Sequence, residues 1–260
     1  MYYINEWKTG YNTPNTSGNF FPDMGDPMIV WDDGYYYAFG TRGADCFHCF
    51  RSPDLTNWTR LANAFEPDDN SWGRTNLWAP DIQKINGKWY LYYTAGMIGE
   101  PMYDSDKREH CQIGVAVSDN VYGPYKQFTG TNGNGETVTL KDTPFKGLEG
   151  HTILDQTVFQ DDDGKLYMYF SYDTNTGSPE HRAQSKNGAT AEIWAVEMKD
   201  AVTWDLSTLK PLMSAGYKNF DDTKRTIAWE TWSPSFTGGT QCLEGPYMVK
   251  HGGKYLLTYC

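Results

Sequence analysis

Apolar and polar residues alternate along this chain in short runs, and the runs come in pairs. In Leu154–Ser171, LDQTVFQDDDGKLYMYFS, a brief apolar run leads to an Asp-Gly step and then to a strand of alternating aromatics. Alternation on both sides of such a step predicts a β-hairpin. The unit recurs. Asp26-Pro27 leads through MIVW to Asp33-Gly34 and YYYAFGT, and Pro80-Asp81 leads through IQKI to Asn86-Gly87 and KWYLYYT. Glu244-Gly245-Pro246 leads through YMVK to Gly252-Gly253 and KYLLTY. Four such hairpins, about 55–90 residues apart, form a long-period structural repeat.

Between the hairpins lie further strand patterns, among them QIGVAVS, YKQF and AEIWAVEM, with turns marked by Gly, Asn and Asp. Strands in groups of four separated by polar loops predict an all-β fold of the β-propeller type, with blades over about 26–65, 78–128, 151–213 and 244–260. Residues 1–25 read as an irregular lead-in and 26–260 as one domain. The segments 66–77, 129–150 and 214–243 read as loops, and 173–190 as a polar insertion. Sustained 3.6-residue periodicity is absent, so no helix longer than two turns is predicted. A two-sheet sandwich is the structural alternative. In a propeller the acids that open the hairpins gather at one end of a central channel; in a sandwich they scatter along edges.

Composition narrows the partners. Aromatic residues make up 16% of the chain, with 19 Tyr and 10 Trp, against a hydrophobic total of 39%. That balance suits strands whose surface meets flat-faced ligands such as sugars, although most of these rings simply fill strands. A net charge of −11 argues against nucleic acid or an anionic membrane as partner. No apolar run approaches the roughly 20 residues of a membrane span. The opening MYYINEWKTG lacks the basic and apolar regions of a secretory signal. The protein is therefore expected in the cytoplasm if Met1 is its native start, and secreted or periplasmic if a signal has been removed. Five scattered cysteines offer no disulfide framework, and Cys46-Phe47-His48-Cys49 has no second ligand pair at zinc-finger spacing, so it reads as strand filler.

Carboxylates without a basic run beside them can bind a hard cation or divide acid and base roles in hydrolysis. Asp161-Asp162-Asp163 comes nearest to a calcium loop but sits on a hairpin turn, where turn chemistry explains it. One acid per repeat fits glycoside hydrolysis better, in which two carboxyls face each other across a sugar.

The motifs GDPMIVWDDGYYYAFGT, NLWAPDIQKINGKWYLYYT, LDQTVFQDDDGKLYMYFS and LEGPYMVKHGGKYLLTY resemble the four ordered motifs of family 43 glycoside hydrolases, with SPDLTNWTRL and IGVAVSDNVYGPYK similar to its outer-strand motifs. The resemblance covers about Asp26 to Cys260. It implies a five-bladed β-propeller, here ending within blade four with the fifth blade absent, acting on arabinose- and xylose-containing oligo- or polysaccharides by inversion. Residue by residue it implies Asp26 as the base that activates water, Asp155 as the carboxylate that orients the acid and tunes its acidity, and Glu244 as the general acid. Asp81 reads as a structural or substrate-side residue, and Trp72, Trp78 and Trp232 as candidate sugar platforms. No cofactor is expected. The family's structural metal, a calcium in the complete domain, cannot be assigned to residues of this chain. The activity implied is that of an α-L-arabinofuranosidase or β-xylosidase. Alternatives are an endo-arabinanase or galactan-cleaving enzyme, or a non-catalytic glycan-binding propeller.

Overall fold

The computed structural model describes residues 24–41, 45–97, 111–149, 151–172, 192–215, 222, 227 and 243–260. The described residues form strands, turns and loops without a helix. The first sheet contains β1 (Gly25–Asp32), β2 (Tyr35–Thr41), β3 (Phe47–Ser52) and β4 (Thr59–Phe65). The second contains β5 (Gly73–Ile85), β6 (Lys88–Met97), β7 (Cys111–Ser118) and the two-residue β8 (Lys126–Gln127). A small ribbon of β9 (Gly130–Thr131) and β10 (Thr137–Val138) follows. The third sheet contains β11 (Ile153–Gln160), β12 (Leu166–Tyr172), β13 (Glu192–Asp200) and β14 (Thr203–Ser214). The hairpin β15 (Tyr247–His251) and β16 (Lys254–Thr258) completes the set.

Each four-stranded sheet is a meander, its strands antiparallel and adjacent in chain order. β5 lies against β1 on one side and β11 on the other, and β11 in turn touches β15. The first strands of successive sheets are thus neighbours, as in blades set around an axis, and no two of the four hairpins share a sheet.

Alternation along β6 shows how the core is shared. Leu91 and Tyr93 pack with Phe39, Phe47 and Phe65 of the first sheet. Tyr92, pointing the other way, packs with Val158, Met168, Phe170 and Trp204 of the third. A smaller cluster of Ile193, Ala215 and Leu243, with Leu257 and Tyr259 against it, joins the third sheet to the last hairpin. Both faces of the middle sheets are therefore buried, which explains the dense apolar content of KWYLYYT and QIGVAVS. The hairpin turns follow their sequences: Asp33-Gly34, Asn86-Gly87 and Gly252-Gly253 all have positive φ at both positions, the type I′ requirement.

Two boundaries differ from the sequence expectation. β5 begins at Gly73, well before Trp78, because three register shifts let its polar start stay paired with β6. The stretch 129–150, expected as an open loop, carries the β9–β10 ribbon.

Candidate active site

The four hairpins share one backbone irregularity at their starts. Gly25 pairs with Thr41 and Met28 with Phe39, leaving Asp26 and Pro27 opposite a single residue. Trp78/Thr94 and Asp81/Tyr92 flank Ala79-Pro80 in the same way, and Leu154/Ser171 and Thr157/Tyr169 flank Asp155-Gln156. In the last hairpin Glu244 exchanges backbone hydrogen bonds with Cys260 at 3.0 and 2.9 Å, and pairing resumes at Tyr247/Thr258, so Gly245-Pro246 is the bulge. The first bulge residue is left-handed every time, with φ of 46° at Asp26, 45° at Ala79, 53° at Asp155 and 60° at Gly245. A bulge re-aims side chains at the end of a strand, and left-handed non-glycine residues are strained positions that collect at functional sites.

All four bulges line one cavity of about 370 Å3, bounded by Asp26 to Ile29, Ala79 to Asp81, Asp155 to Thr157 and Gly245 to Tyr247. Its size is that of a small-ligand site. Asp26 is exposed at its rim, and Asp155 is half-buried. Glu244 stands one residue before the lining residue Gly245, and its own side chain is not part of the lining. Asp26 and Asp155 therefore line the cavity, and Glu244 adjoins it through Gly245. The Cys260 thiol, whose pKa is raised first by burial, also feels the negative charges of Glu244, Asp155 and Asp26.

Hydrogen bonds connect the bulges. The Thr41 hydroxyl donates to Asp26 Oδ2 at 2.5 Å and accepts the Ala79 N–H at 2.8 Å. Thr94, the equivalent residue of the second sheet, accepts the Asp155 N–H at 3.0 Å and donates to Gln156 Oε1 at 3.1 Å. Gln156 Nε2 donates to the Ala79 carbonyl at 2.7 Å. The Gly245 N–H then donates to Asp155 Oδ2 at 3.2 Å.

Of the remaining candidates among the described residues, only Asp81 borders the cavity. The four acids do not occupy one repeat position. Asp26 and Asp155 are first bulge residues, Glu244 precedes its bulge, and Asp81 follows its own. Asp81 is 3% exposed, and its Oδ2 accepts the Val158 N–H at 2.7 Å while Oδ1 accepts from Gln83 at 2.9 Å. It ties β5 to β11, and burial raises its pKa to about 7. Trp72 is no sugar platform: it is buried in the core between the first two sheets and stacked on Tyr93 with centroids 6.4 Å apart. Trp78 is half-buried and does not line the cavity, and Trp232 lies outside the described residues. The exposed ring at the cavity is Tyr247.

Asp161, read as turn chemistry, does more than make a turn. It binds Lys250 Nζ and the Tyr255 hydroxyl at 2.6 Å, so it clasps the third sheet to the last hairpin, and these bonds lower its pKa to about 2. Among the described residues no group of three or more His, Cys, Asp or Glu could hold a metal ion.

The sequence reading missed Thr41, Thr94 and Gln156. A signal for two of them was present: after each aromatic run come Thr41, Thr94, Ser171 and Cys260, each a hydroxyl or thiol, opposite the residue before each bulge.

Residues 19–260 match the family described as glycosyl hydrolases family 43. An extracellular endo-α-(1→5)-L-arabinanase of Thermotoga petrophila is 30% identical over 203 residues, covering 66% of this chain and 41% of that protein. A xylosidase/arabinosidase of Bacteroides ovatus is 26% identical over 257 residues, covering 91% of this chain and 70% of that protein. A thermostable family-43 glycoside hydrolase of known structure superposes with a TM-score of 0.67 at 22% identity, covering 91% of this chain and 63% of the other. The chain thus spans under half the length of the endo-arabinanase.

Proposed function

The chain belongs to glycosyl hydrolases family 43, and from that premise we propose that it hydrolyses glycosidic bonds in arabinose- or xylose-containing glycans by direct attack of water. The observation that carries this reading is that Asp26 and Asp155 line one cavity from separate hairpins, with Glu244 immediately before the lining residue Gly245 of a third. Asp26 is the base: its carboxylate is exposed at the cavity rim and takes the proton of the attacking water. Glu244 donates a proton to the leaving oxygen. Asp155, held by the Gly245 N–H immediately beside Glu244, orients that acid. Inversion requires the base and acid carboxyls to stand about 6.5–9.5 Å apart, leaving room for water between base and sugar.

Arabinose appears in the names of both relatives above, which makes an α-L-arabinofuranosyl bond the first substrate to try. The likeness to the endo-arabinanase favours internal cleavage as the second reading, against removal of terminal sugars. The five-bladed architecture is part of the same proposal. Ile29 and Trp31 are 46% and 55% exposed on the face of β1 opposite Met28 and Val30, which pack toward the second sheet. Val249 and Leu256 are likewise exposed, on the face of the last hairpin opposite Leu257. A fifth sheet would cover these two outer faces.

The test is digestion of debranched arabinan, xylo-oligosaccharides and the matching aryl glycosides, with the first product followed by NMR. Release of an anomerically inverted sugar is expected. Retention of configuration, or absence of hydrolysis of every arabinosyl and xylosyl substrate, overturns the proposal. Product length on arabinan separates the exo from the endo reading.

A further inference from the structure

We propose that Thr41 is a positioning residue that holds Asp26 correctly aimed as the base, and that it does so from the backbone of the neighbouring sheet. This inference rests on the reading of Asp26 as the base. A hydroxyl has one proton to donate and two lone pairs. The Ala79 N–H, which can only donate, occupies a Thr41 lone pair at 2.8 Å, and the Thr41 proton points to Asp26 Oδ2 at 2.5 Å. A carboxylate without a proton can only accept, so with Asp26 acting as the base the chain of bonds ends on Oδ2.

The same device in the next sheet has a different outcome. Thr94 also accepts the amide of the following bulge, that of Asp155, but its proton goes to Gln156 and not to an acid. Gln156 stands where the other three bulges have Pro27, Pro80 and Pro246, and it donates to the Ala79 carbonyl. Residue 79 is therefore held from both sides, its N–H by Thr41 and its C=O by Gln156, in a left-handed conformation at φ 45°. The aim of Asp26 is referred to this fixed backbone. At the third sheet the arrangement changes again. Ser171 Oγ is buried without a hydrogen-bond partner, and the Gly245 N–H goes to the Asp155 carboxylate in its place. Of the three hydroxyls opposite the residues before the bulges, Thr41 is thus the one that joins a backbone latch to a candidate catalytic carboxylate.

Thr41→Val, Thr41→Ser and Asp26→Asn, made in the full chain, test this with initial rates on 4-nitrophenyl α-L-arabinofuranoside and crystal structures of the variants. A misaimed group costs up to about 100-fold. Thr41→Val is therefore expected to lower kcat by about 10- to 100-fold with KM within about threefold of the parent, to an equal extent for good and poor leaving groups. Thr41→Ser should recover most of that loss, and adding Thr41→Val to Asp26→Asn should slow the enzyme no further. The Asp26 carboxylate should leave its present orientation in the Thr41→Val structure and keep it in Thr41→Ser. If the valine variant does not fold, Thr41→Ala, which cannot clash, takes its place. Unchanged turnover with an unmoved Asp26 in the valine variant overturns the inference alone, provided Asp26→Asn is inactive. Parental activity in Asp26→Asn overturns the base assignment and the inference with it.

Discussion

In β1 the left-handed bulge residue is Asp26; in β5 the residue with nearly the same φ is Ala79, and the acid comes two positions later, at Asp81. The backbones of the two hairpins are repeats of one another, yet their acids have opposite fates. Asp26 is exposed at the cavity, whereas Asp81 is buried and accepts the Val158 N–H from the neighbouring sheet. The difference is one of strand parity. The bulge turns its first residue toward the strand end, and in β5 the third residue, where pairing resumes, returns to the packed body of the sheet. In β1 the first place leaves the carboxylate available to a ligand; in β5 the third place buries Asp81, which finds its partners inside the protein.

That contrast can be broken most visibly at Asp26. Asp26→Asn is expected to lower kcat by about 100- to 10,000-fold, the span of general acid–base contributions, with little change in the unfolding midpoint. Asp81→Leu should do the reverse. It leaves the Val158 N–H buried without an acceptor and should cost about 2–4 kcal/mol in a urea titration. If Asp81→Leu proved as stable as the parent, the reading of Asp81 as an inter-sheet tie would be lost.

A pH series sharpens the comparison. Asp81 carries a pKa raised from 3.8 to about 7 in the folded protein, chiefly by burial. The folded state then binds a proton that the unfolded state has released. The stability contributed by this group is full below about pH 4 and is lost as pH rises toward about 7. Asp81→Asn, which cannot ionise, should flatten the pH dependence of the melting temperature across that window. A parental slope in the variant would assign the dependence to other groups.

The smallest effect is expected at Ala79. Glycine tolerates the left-handed conformation that alanine adopts there at a cost of about 1 kcal/mol, so Ala79→Gly should raise stability by up to about that amount. Ala79→Val, whose branched side chain resists this conformation, should lower it. Equal melting temperatures for the two variants would show that the bulge relaxes around residue 79.

Much of this molecule was legible in its sequence because hairpins are local. The Asp33-Gly34, Asn86-Gly87 and Gly252-Gly253 steps, with aromatic alternation after each, settled where strands turn and which residues pair across them. Their repetition also placed Asp26, Asp155 and Glu244 near strand ends, where side chains can leave the core.

What the tertiary structure decided are the contacts between sheets, which join residues far apart in the chain and leave no periodic trace. Trp72 looks as fit for a sugar platform as any other Trp until the packing of two sheets encloses it against Tyr93. Asp81 reads as structural or substrate-side alike until the register puts it where it accepts the Val158 N–H of the neighbouring sheet. Thr41, Thr94 and Gln156 acquire their roles only because sheets two and three bring Ala79 and Asp155 within hydrogen-bond reach. Local alternation determines the strands. Whether a given side chain faces a neighbour, a cavity or water depends on how the strands' sheets stack, and that is a property of the assembled fold.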